Sequence, residues 1–307
     1  MAQLIKLQDY ISRYENDMFR YPSHFIRMKK DNYQKLIKQW QTEQEIQNLE
    51  EPEYEEEKPS FFNKLFSRSN KNVNVWEQEL EDNHHDSLPL PDNENELKLL
   101  FLEQVFSFQL KWASSTLQEV SYIDKAYETD SNLKYFLQRF PDTYLVLYQP
   151  IFKLKKAVIE GEVIIITPTE ILLISSLEGQ SANTIYKPVD ERKWLRVEDG
   201  IESHQVNPLI SLKRMEKTLN SVLHYHELDF PIKKIVFAPN HRILEKKPPF
   251  QTEYIDYDNY NQWFHEQRQS NYPIKFQQLK VAEAILEHTQ KTFVKRPIWK
   301  EEEDHML

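Results

Sequence analysis

Apolar residues recur at two spacings along this chain, and each spacing predicts a different kind of element. Spacings of three and four residues predict helices from Glu96 onward and over residues 133–140, 207–223, 257–269 and 276–290. Short apolar runs between polar segments predict strands over residues 143–148, 151–154, 162–166, 171–175 and 235–238. Elements in this order are typical of the α/β class, a layered domain in which helices flank a mixed β-sheet.

The clearest pair of predicted strands forms a β-hairpin. Two apolar runs, residues 163–166 and 171–174, flank the four turn residues 167–170. Pro168 suits this turn and cannot lie inside a central strand, because it has no backbone N–H to donate. Glu162 comes directly before the first run, so a carboxylate stands at the start of the hairpin.

The spacing of apolar residues in residues 1–40 predicts a helical N-terminal arm. Leu4 and Ile11 belong to a stripe at helical spacing that Pro22 ends, and a second helix is expected over residues 31–40. Short amphipathic helices bury little surface alone, so the arm is expected to pack on the main domain, on itself or on a partner.

The composition of residues 41–97 predicts an acidic, partly disordered linker. This segment holds 16 acidic and 4 basic residues and is broken by prolines, so it cannot bury enough apolar surface to become ordered. An aromatic and basic peptide, residues 61–71, interrupts it. The peptide either packs on the domain surface or binds a membrane surface or a partner through Phe61, Phe62 and Phe66.

The composition excludes several functional classes. The 307 residues include no cysteine, which excludes disulfides, thiolate metal sites and cysteine nucleophiles. Three glycines are too few for a P-loop or a G-x-G-x-x-G dinucleotide site. No apolar run reaches the roughly 18 residues of a membrane-spanning helix, and the N-terminus does not resemble a signal peptide, so a cytoplasmic protein is expected.

The order of helix, hairpin and N-P-L helix resembles the nuclease-related domain (NERD) family, a branch of the PD-(D/E)XK nuclease fold. Two pieces carry the resemblance, the I-I-I-T-P turn at residues 164–168 and N-P-L at residues 207–209. Asn207 is expected to cap its helix, with Pro208 in the first turn. The resemblance covers residues 96–240 and implies Mg²⁺-dependent phosphodiester hydrolysis.

In that family, an acid at the start of the hairpin and a glutamate-x-lysine pair on the next strand hold the metal and orient the nucleophile. The resemblance places these functions at Glu162, Ser175 and Leu177. A single carboxylate does not hold Mg²⁺, because the ion needs anionic oxygen ligands to offset its loss of water. The resemblance therefore implies a degenerate motif without a metal or cofactor, unless migrated ligands such as Glu160 or Glu178 bind Mg²⁺.

A second candidate constellation is H-Y-H-E at residues 224–227. His224 and His226 share a face only if the segment is a strand. The segment follows a predicted helix, and no third-ligand spacing such as H-E-x-x-H accompanies it. A polar loop between helix and strand is therefore the favoured interpretation, with no metal bound.

Basic residues cluster in two later segments and offer a possible nucleic-acid surface. The alternative is a solvated surface of mixed charge, because acids such as Glu216 are interleaved with them. The residues expected to contact nucleic acid are Lys213, Arg214, Lys217, Lys233 and Lys234.

These observations predict four segments: the arm at residues 1–40, the linker at 41–97, a nuclease-related core at 98–240 and a C-terminal helical extension at 241–307. The favoured function is a non-catalytic interaction or regulatory module with an unidentified protein partner. A Mg²⁺-dependent nuclease with migrated ligands is one alternative. Nucleic-acid binding without cleavage is the other.

Overall fold

The computed structural model of the protein describes residues 1–49, 90–154, 157–181, 183–244 and 247–296. The chain divides into two compact units that differ from the predicted segments. Met1–Ser23 and Leu110–Leu307 form one, which we call the sheet unit, and His24–Gln109 forms the other, which we call the helical unit.

The described residues contain six α-helices and fourteen strands. The helices are α1 (Tyr21–Leu49), α2 (Glu94–Trp112), α3 (Ser131–Arg139), α4 (Pro208–Tyr225), α5 (Tyr260–Arg268) and α6 (Phe276–Glu287). The first seven strands are β1 (Gln3–Leu7), β2 (Glu119–Val120), β3 (Leu145–Tyr148), β4 (Ile151–Leu154), β5 (Ala157–Glu160), β6 (Val163–Ile166) and β7 (Ile171–Ser176). The others are β8 (Ile185–Pro188), β9 (Lys193–Glu198), β10 (Ile201–Val206), β11 (Ile232–Ala238), β12 (Arg242–Ile243), β13 (Thr252–Asp256) and β14 (Val294–Lys295).

The main sheet of the sheet unit has six strands in the order β1-β3-β6-β7-β11-β13. β3, β6 and β7 are antiparallel neighbours, whereas β1 runs parallel to β3, and β11 and β13 run parallel to β7. The central strands are buried almost throughout, as expected where both faces of a sheet are covered. α4 packs against β7 and β11. The α/β fold class with a mixed sheet is thereby confirmed.

The predicted hairpin is confirmed as β6 and β7. Val163 pairs with Ile174, and Ile166 pairs with Ile171. Thr167 closes the turn, because its hydroxyl accepts a hydrogen bond from the Glu170 backbone N–H at 3.0 Å. The turn sets the register, and the register decides which side chains of each strand share a face.

Strand β1 lies where a helix was predicted, so that part of the predicted arm is wrong. All five of its residues are buried, including Lys6. The Lys6 ammonium lies 2.6 Å from a carboxylate oxygen of Glu15 and donates to the Tyr10 carbonyl at 2.7 Å. Because all five residues of β1 are buried, its apolar and polar residues do not alternate as they do in a half-buried strand. The carboxylate of Glu15, which makes burial of Lys6 acceptable, lies outside the strand.

The helical unit confirms helices on both sides of the linker but changes their bounds. Pro22 does not end a helix; it is the second residue of α1, where its missing N–H costs no hydrogen bond. Residues 41–49, assigned to the linker, continue α1. The region with Phe61, Phe62 and Phe66 lies outside the described residues.

Within the helical unit, α1 contacts both α2 and the described residues just before it. The rings of Tyr33 and Phe101 have centroids 5.0 Å apart, and the Trp40 indole N–H donates to the Pro91 carbonyl at 2.6 Å. The contact residue later in α1, Trp40, meets the earlier residue Pro91, and the earlier residue of α1, Tyr33, meets the later residue Phe101. The two helices are therefore antiparallel. No helix among the described residues is long and apolar enough to cross a membrane.

The predicted C-terminal helical extension is wrong in part, since β13 belongs to the main sheet beside β11. Its sequence T-E-Y-I-D carries two acids and looks polar. Asp256 is nevertheless buried, because its carboxylate accepts hydrogen bonds from the backbone N–H groups of Ile243 and Asp258 at 3.1 and 3.2 Å. A second sheet, β10-β9-β8-β12, was not predicted either. Helices α5 and α6 confirm the two helices expected in this region.

Candidate ligand-binding cleft

The hairpin positions that the resemblance singled out lie at one end of β6 and β7. Continuing the register past Val163 and Ile174 places Glu162 opposite Ser175. Ser175 is buried, and the backbone N–H of Leu177 donates to the Phe237 carbonyl at 2.8 Å. This end of the hairpin therefore has one carboxylate, a buried hydroxyl and an apolar side chain.

The two residues proposed as migrated ligands lie outside the two hairpin strands. Glu160 ends β5 and pairs with Ile151 in a separate two-stranded sheet. Glu178 accepts a hydrogen bond from the Asn132 side chain of α3. Among the described residues, no group of three or more His, Asp or Glu side chains is placed to hold a metal ion. The geometry gives the migrated-ligand nuclease no support.

We expect Glu162→Ala to leave any Mg²⁺-dependent cleavage of DNA or RNA by this protein unchanged, because one carboxylate does not retain Mg²⁺. Cleavage is measured on labelled oligonucleotides with Mg²⁺ and with EDTA. Glu178→Ala is the matched control. Mg²⁺-dependent cleavage that disappears in Glu162→Ala and persists in Glu178→Ala would restore the nuclease interpretation.

Three of the five predicted nucleic-acid residues share one exposed face of α4. Lys213, Arg214 and Lys217 line a shallow groove along this helix with Ser221. Their spacing of three and four residues places them side by side on the helix surface. They remain a predicted contact surface for phosphate groups.

The other two lysines, Lys233 and Lys234, point to opposite faces of β11, and each forms an ion pair with a carboxylate. Lys233 lies 2.7 Å from Glu253 of β13, and both side chains are partly exposed. Lys234 is 4% exposed and forms an ion pair with Glu216 of α4. The structure gives no support to the prediction that Lys234 contacts nucleic acid, because this buried ammonium already binds a carboxylate of its own chain.

A polar cleft of 1190 Å³ lies at the carboxyl ends of β7, β11 and β13. Parallel strands of an α/β sheet commonly bind their ligands at this edge. The segments that follow the three strands supply its walls, and among the lining side chains are four amides and two tyrosines. These are Gln180, Asn183, Asn240, Asn261, Tyr257 and Tyr260.

The loop after β7 is held in place by Glu198 of β9. Its carboxylate accepts hydrogen bonds from the backbone N–H of Ser181 and the hydroxyl of Thr184, both at 2.9 Å. The Ser181 N–H, followed by the Thr184 hydroxyl, lowers the pKa of Glu198. A Cβ at Gly179 would lie 2.4 Å from the Thr184 hydroxyl oxygen, so only glycine fits there. This wall of the cleft is therefore preorganised.

His241 forms the buried part of the cleft wall and is 7% exposed. Its Nε2 accepts a hydrogen bond from the Gly179 backbone N–H at 3.1 Å, so the ring proton belongs on Nδ1. Nδ1 is buried and has no hydrogen-bond partner within the described part of the chain. Burial lowers the pKa of His241, and nearby Glu198 opposes this only in part, so the imidazole is neutral at pH 7.

Arg242 and Tyr257 form the open part of the cleft. The guanidinium lies 5.6 Å from the Tyr257 ring centroid, and Nε is 3.5 Å from a carboxylate oxygen of Asp258. Tyr257 is 60% exposed. An exposed aromatic ring beside an arginine suits a ligand that is both flat and negatively charged.

A comparison with known proteins found one partial similarity. The chain is similar to an RNA 2′,3′-cyclic phosphodiesterase of Geobacillus stearothermophilus, with 33% identity over 114 residues. The match covers 36% of this chain and 36% of the relative, so the chain spans about a third of the length of the curated relative it matches. No family model and no solved structure matches the chain.

The sequence offered no signal for the cleft. Its walls follow three strands of one sheet but come from separate parts of the chain, residues 179–181 with 183–185, residues 239–242 and residues 257–261. None of these segments carries a motif. One of the three strands, β13, was not predicted, so the edge at which the loops meet was not foreseen.

Proposed function

We propose that this protein acts in RNA processing and binds single-stranded RNA in the cleft at the carboxyl ends of β7, β11 and β13. The cleft is the observation that carries the proposal, because it joins an aromatic ring, a guanidinium and several amides in one concave site. The likeness to an RNA phosphodiesterase supports the same class of ligand. It gives no support to the non-catalytic regulatory module.

Each group in the cleft has a function that RNA recognition requires. A base stacks on Tyr257, as unpaired bases do on exposed aromatic side chains. Arg242 contacts a phosphate, since its pairing with Asp258 is long and exposed and holds its charge weakly. The amides of Asn240 and Asn261 provide donors and acceptors for base edges.

We further propose that the hairpin is the remnant of a nuclease-related site. Ser175 and Leu177 stand where the NERD family has its metal-binding glutamate and its lysine. Loss of those two groups leaves Glu162 without metal-binding partners. Ligand binding then belongs to the cleft rather than to the hairpin.

Tyr257→Ala and Arg242→Ala are each expected to weaken RNA binding about 5- to 150-fold, since stacking one base contributes about 1–3 kcal/mol and a hydrogen bond to a charged group contributes about 1.5–3 kcal/mol. Binding is measured by fluorescence anisotropy with a labelled single-stranded RNA at fixed salt. Tyr122→Ala and Arg192→Ala are matched controls at exposed positions outside the cleft lining. Equal losses in the cleft variants and the controls would contradict the proposal.

The same RNA, prepared with a 2′,3′-cyclic phosphate end, separates binding from turnover. Hydrolysis of this end by the wild-type protein but not by His241→Gln would make the cleft an active site. RNA binding without product would restrict the protein to RNA recognition. Arg192→Ala again serves as the control for non-specific loss.

A further inference from the structure

Two imidazoles meet where α4 and α6 end. His226 caps the C-terminus of α4, and His288 caps the C-terminus of α6. Their Nε2 atoms lie 3.2 Å apart, with the ring planes at 77°. The partner of the H-Y-H-E segment therefore lies 62 residues away along the chain. The favoured interpretation of that segment as a plain polar loop is incomplete.

Backbone hydrogen bonds hold both histidines in position. The His226 N–H donates to the Val222 and Leu223 carbonyls at 3.2 Å, and the His288 N–H donates to the Ile285 carbonyl at 3.1 Å. The ring of Tyr225 contacts both imidazoles edge-on, with centroids at 5.1 and 5.7 Å. Neither ring needs to move for the two nitrogens to face one another.

We propose that His226 and His288 together bind a divalent transition-metal ion such as Zn²⁺ or Ni²⁺ through their Nε2 atoms. Two nitrogens bound to one tetrahedral Zn²⁺, each at about 2.0–2.1 Å, lie about 3.3–3.4 Å apart. The separation of 3.2 Å matches this spacing closely. Imidazole nitrogen is a preferred ligand of these ions, whereas Mg²⁺ prefers oxygen.

A carboxylate beside the pair completes the surroundings. An oxygen of Glu287 lies 3.6 Å from His226 Nε2, and its side chain is 60% exposed, so it is free to turn towards a bound ion. No ready-made set of three His, Asp or Glu ligands occurs among the described residues. The site is therefore two imidazoles, with water or Glu287 in the remaining positions.

The electrostatic surroundings favour a cation at this place. Both histidines stand at helix C-termini, whose free carbonyls attract positive charge. Glu283 lies close enough to His226 to interact with it electrostatically. Two further acids, Glu287 and Asp17, and one base, Lys280, also interact with Glu283.

The test compares the EDTA-treated wild-type protein with two variants by isothermal titration with Zn²⁺, Ni²⁺ and Mg²⁺. We expect one Zn²⁺ or Ni²⁺ site that is at least tenfold weaker in His226→Ala and in His288→Gln. The thermal midpoint should rise with Zn²⁺ concentration in the wild type but not in His226→Ala or His288→Gln, because the ion binds the folded state. Mg²⁺ should not compete.

His224→Ala is the matched control, since His224 is exposed one residue before Tyr225 and takes no part in the pair. His288→Gln keeps a side chain able to hydrogen bond with His226, so it preserves the fold if the pair is only a hydrogen bond. Unchanged metal affinity in a folded His288→Gln variant, or an equal loss in His224→Ala, would overturn the proposal. Neither result bears on RNA binding, because no RNA is present in this experiment.

Discussion

Glu15→Ala is expected to lower the free energy of unfolding by about 3–5 kcal/mol, because it leaves the buried ammonium of Lys6 without its carboxylate. The side chains of Lys6 and Glu15 are 0% and 4% exposed. Burial already lowers the pKa of Lys6 more than Glu15 raises it, so the charge is poorly tolerated even when paired. Glu15 also binds Lys291, with a carboxylate oxygen 3.1 Å from its Nζ.

Urea unfolding followed by circular dichroism measures this change. Glu253→Ala is the control, since it breaks an ion pair with Lys233 whose two side chains are 41% and 31% exposed. Exposed pairs contribute about 0–1 kcal/mol. If both variants lost the same stability, the N-terminal ion pair would not support the fold in the way that its burial indicates.

Lys234→Ala is expected to lower the free energy of unfolding by about 2–3 kcal/mol, less than Glu15→Ala, because Glu216 is partly exposed and regains some hydration. The Lys234 side chain is 5% exposed and that of Glu216 is 20% exposed. The pair joins β11 to α4. Replacing both residues with apolar side chains, as in Lys234→Met with Glu216→Leu, should recover most of the loss.

The same variant separates a structural lysine from a nucleic-acid contact. Folded Lys234→Ala protein should bind RNA as tightly as the wild type, in an anisotropy assay below its thermal midpoint. Lys217→Ala is the comparison, since this lysine is exposed on α4. A loss of RNA affinity in Lys234→Ala that exceeds the loss in Lys217→Ala would return Lys234 to the binding surface.

Several elements could be predicted because their signals are local. Four apolar residues on each side of a closed turn determine the hairpin of β6 and β7. Asn207 caps α4 as expected, since its side-chain oxygen accepts from the Leu209 N–H at 2.9 Å. Each of these signals lies within a few residues of the element that it specifies.

Other elements could not be predicted, because their residues are explained only by partners that neither helical nor strand periodicity places beside them. Lys6 looks like a surface residue until Glu15 and Tyr10 are placed beside it. The acids of β13 look like a loop until the backbone groups around Asp256 are known. Local propensity carries no information about such partners.

The sequence by itself determined the α/β class, the central hairpin and the four helices after residue 130. Only the tertiary structure decided which loops share the cleft, which lysines are buried and which histidine faces His226. The physical reason is that periodicity and capping act between neighbours in the chain. A cleft at a sheet edge and a pair of facing imidazoles arise from strands and helices brought together by burial of the core.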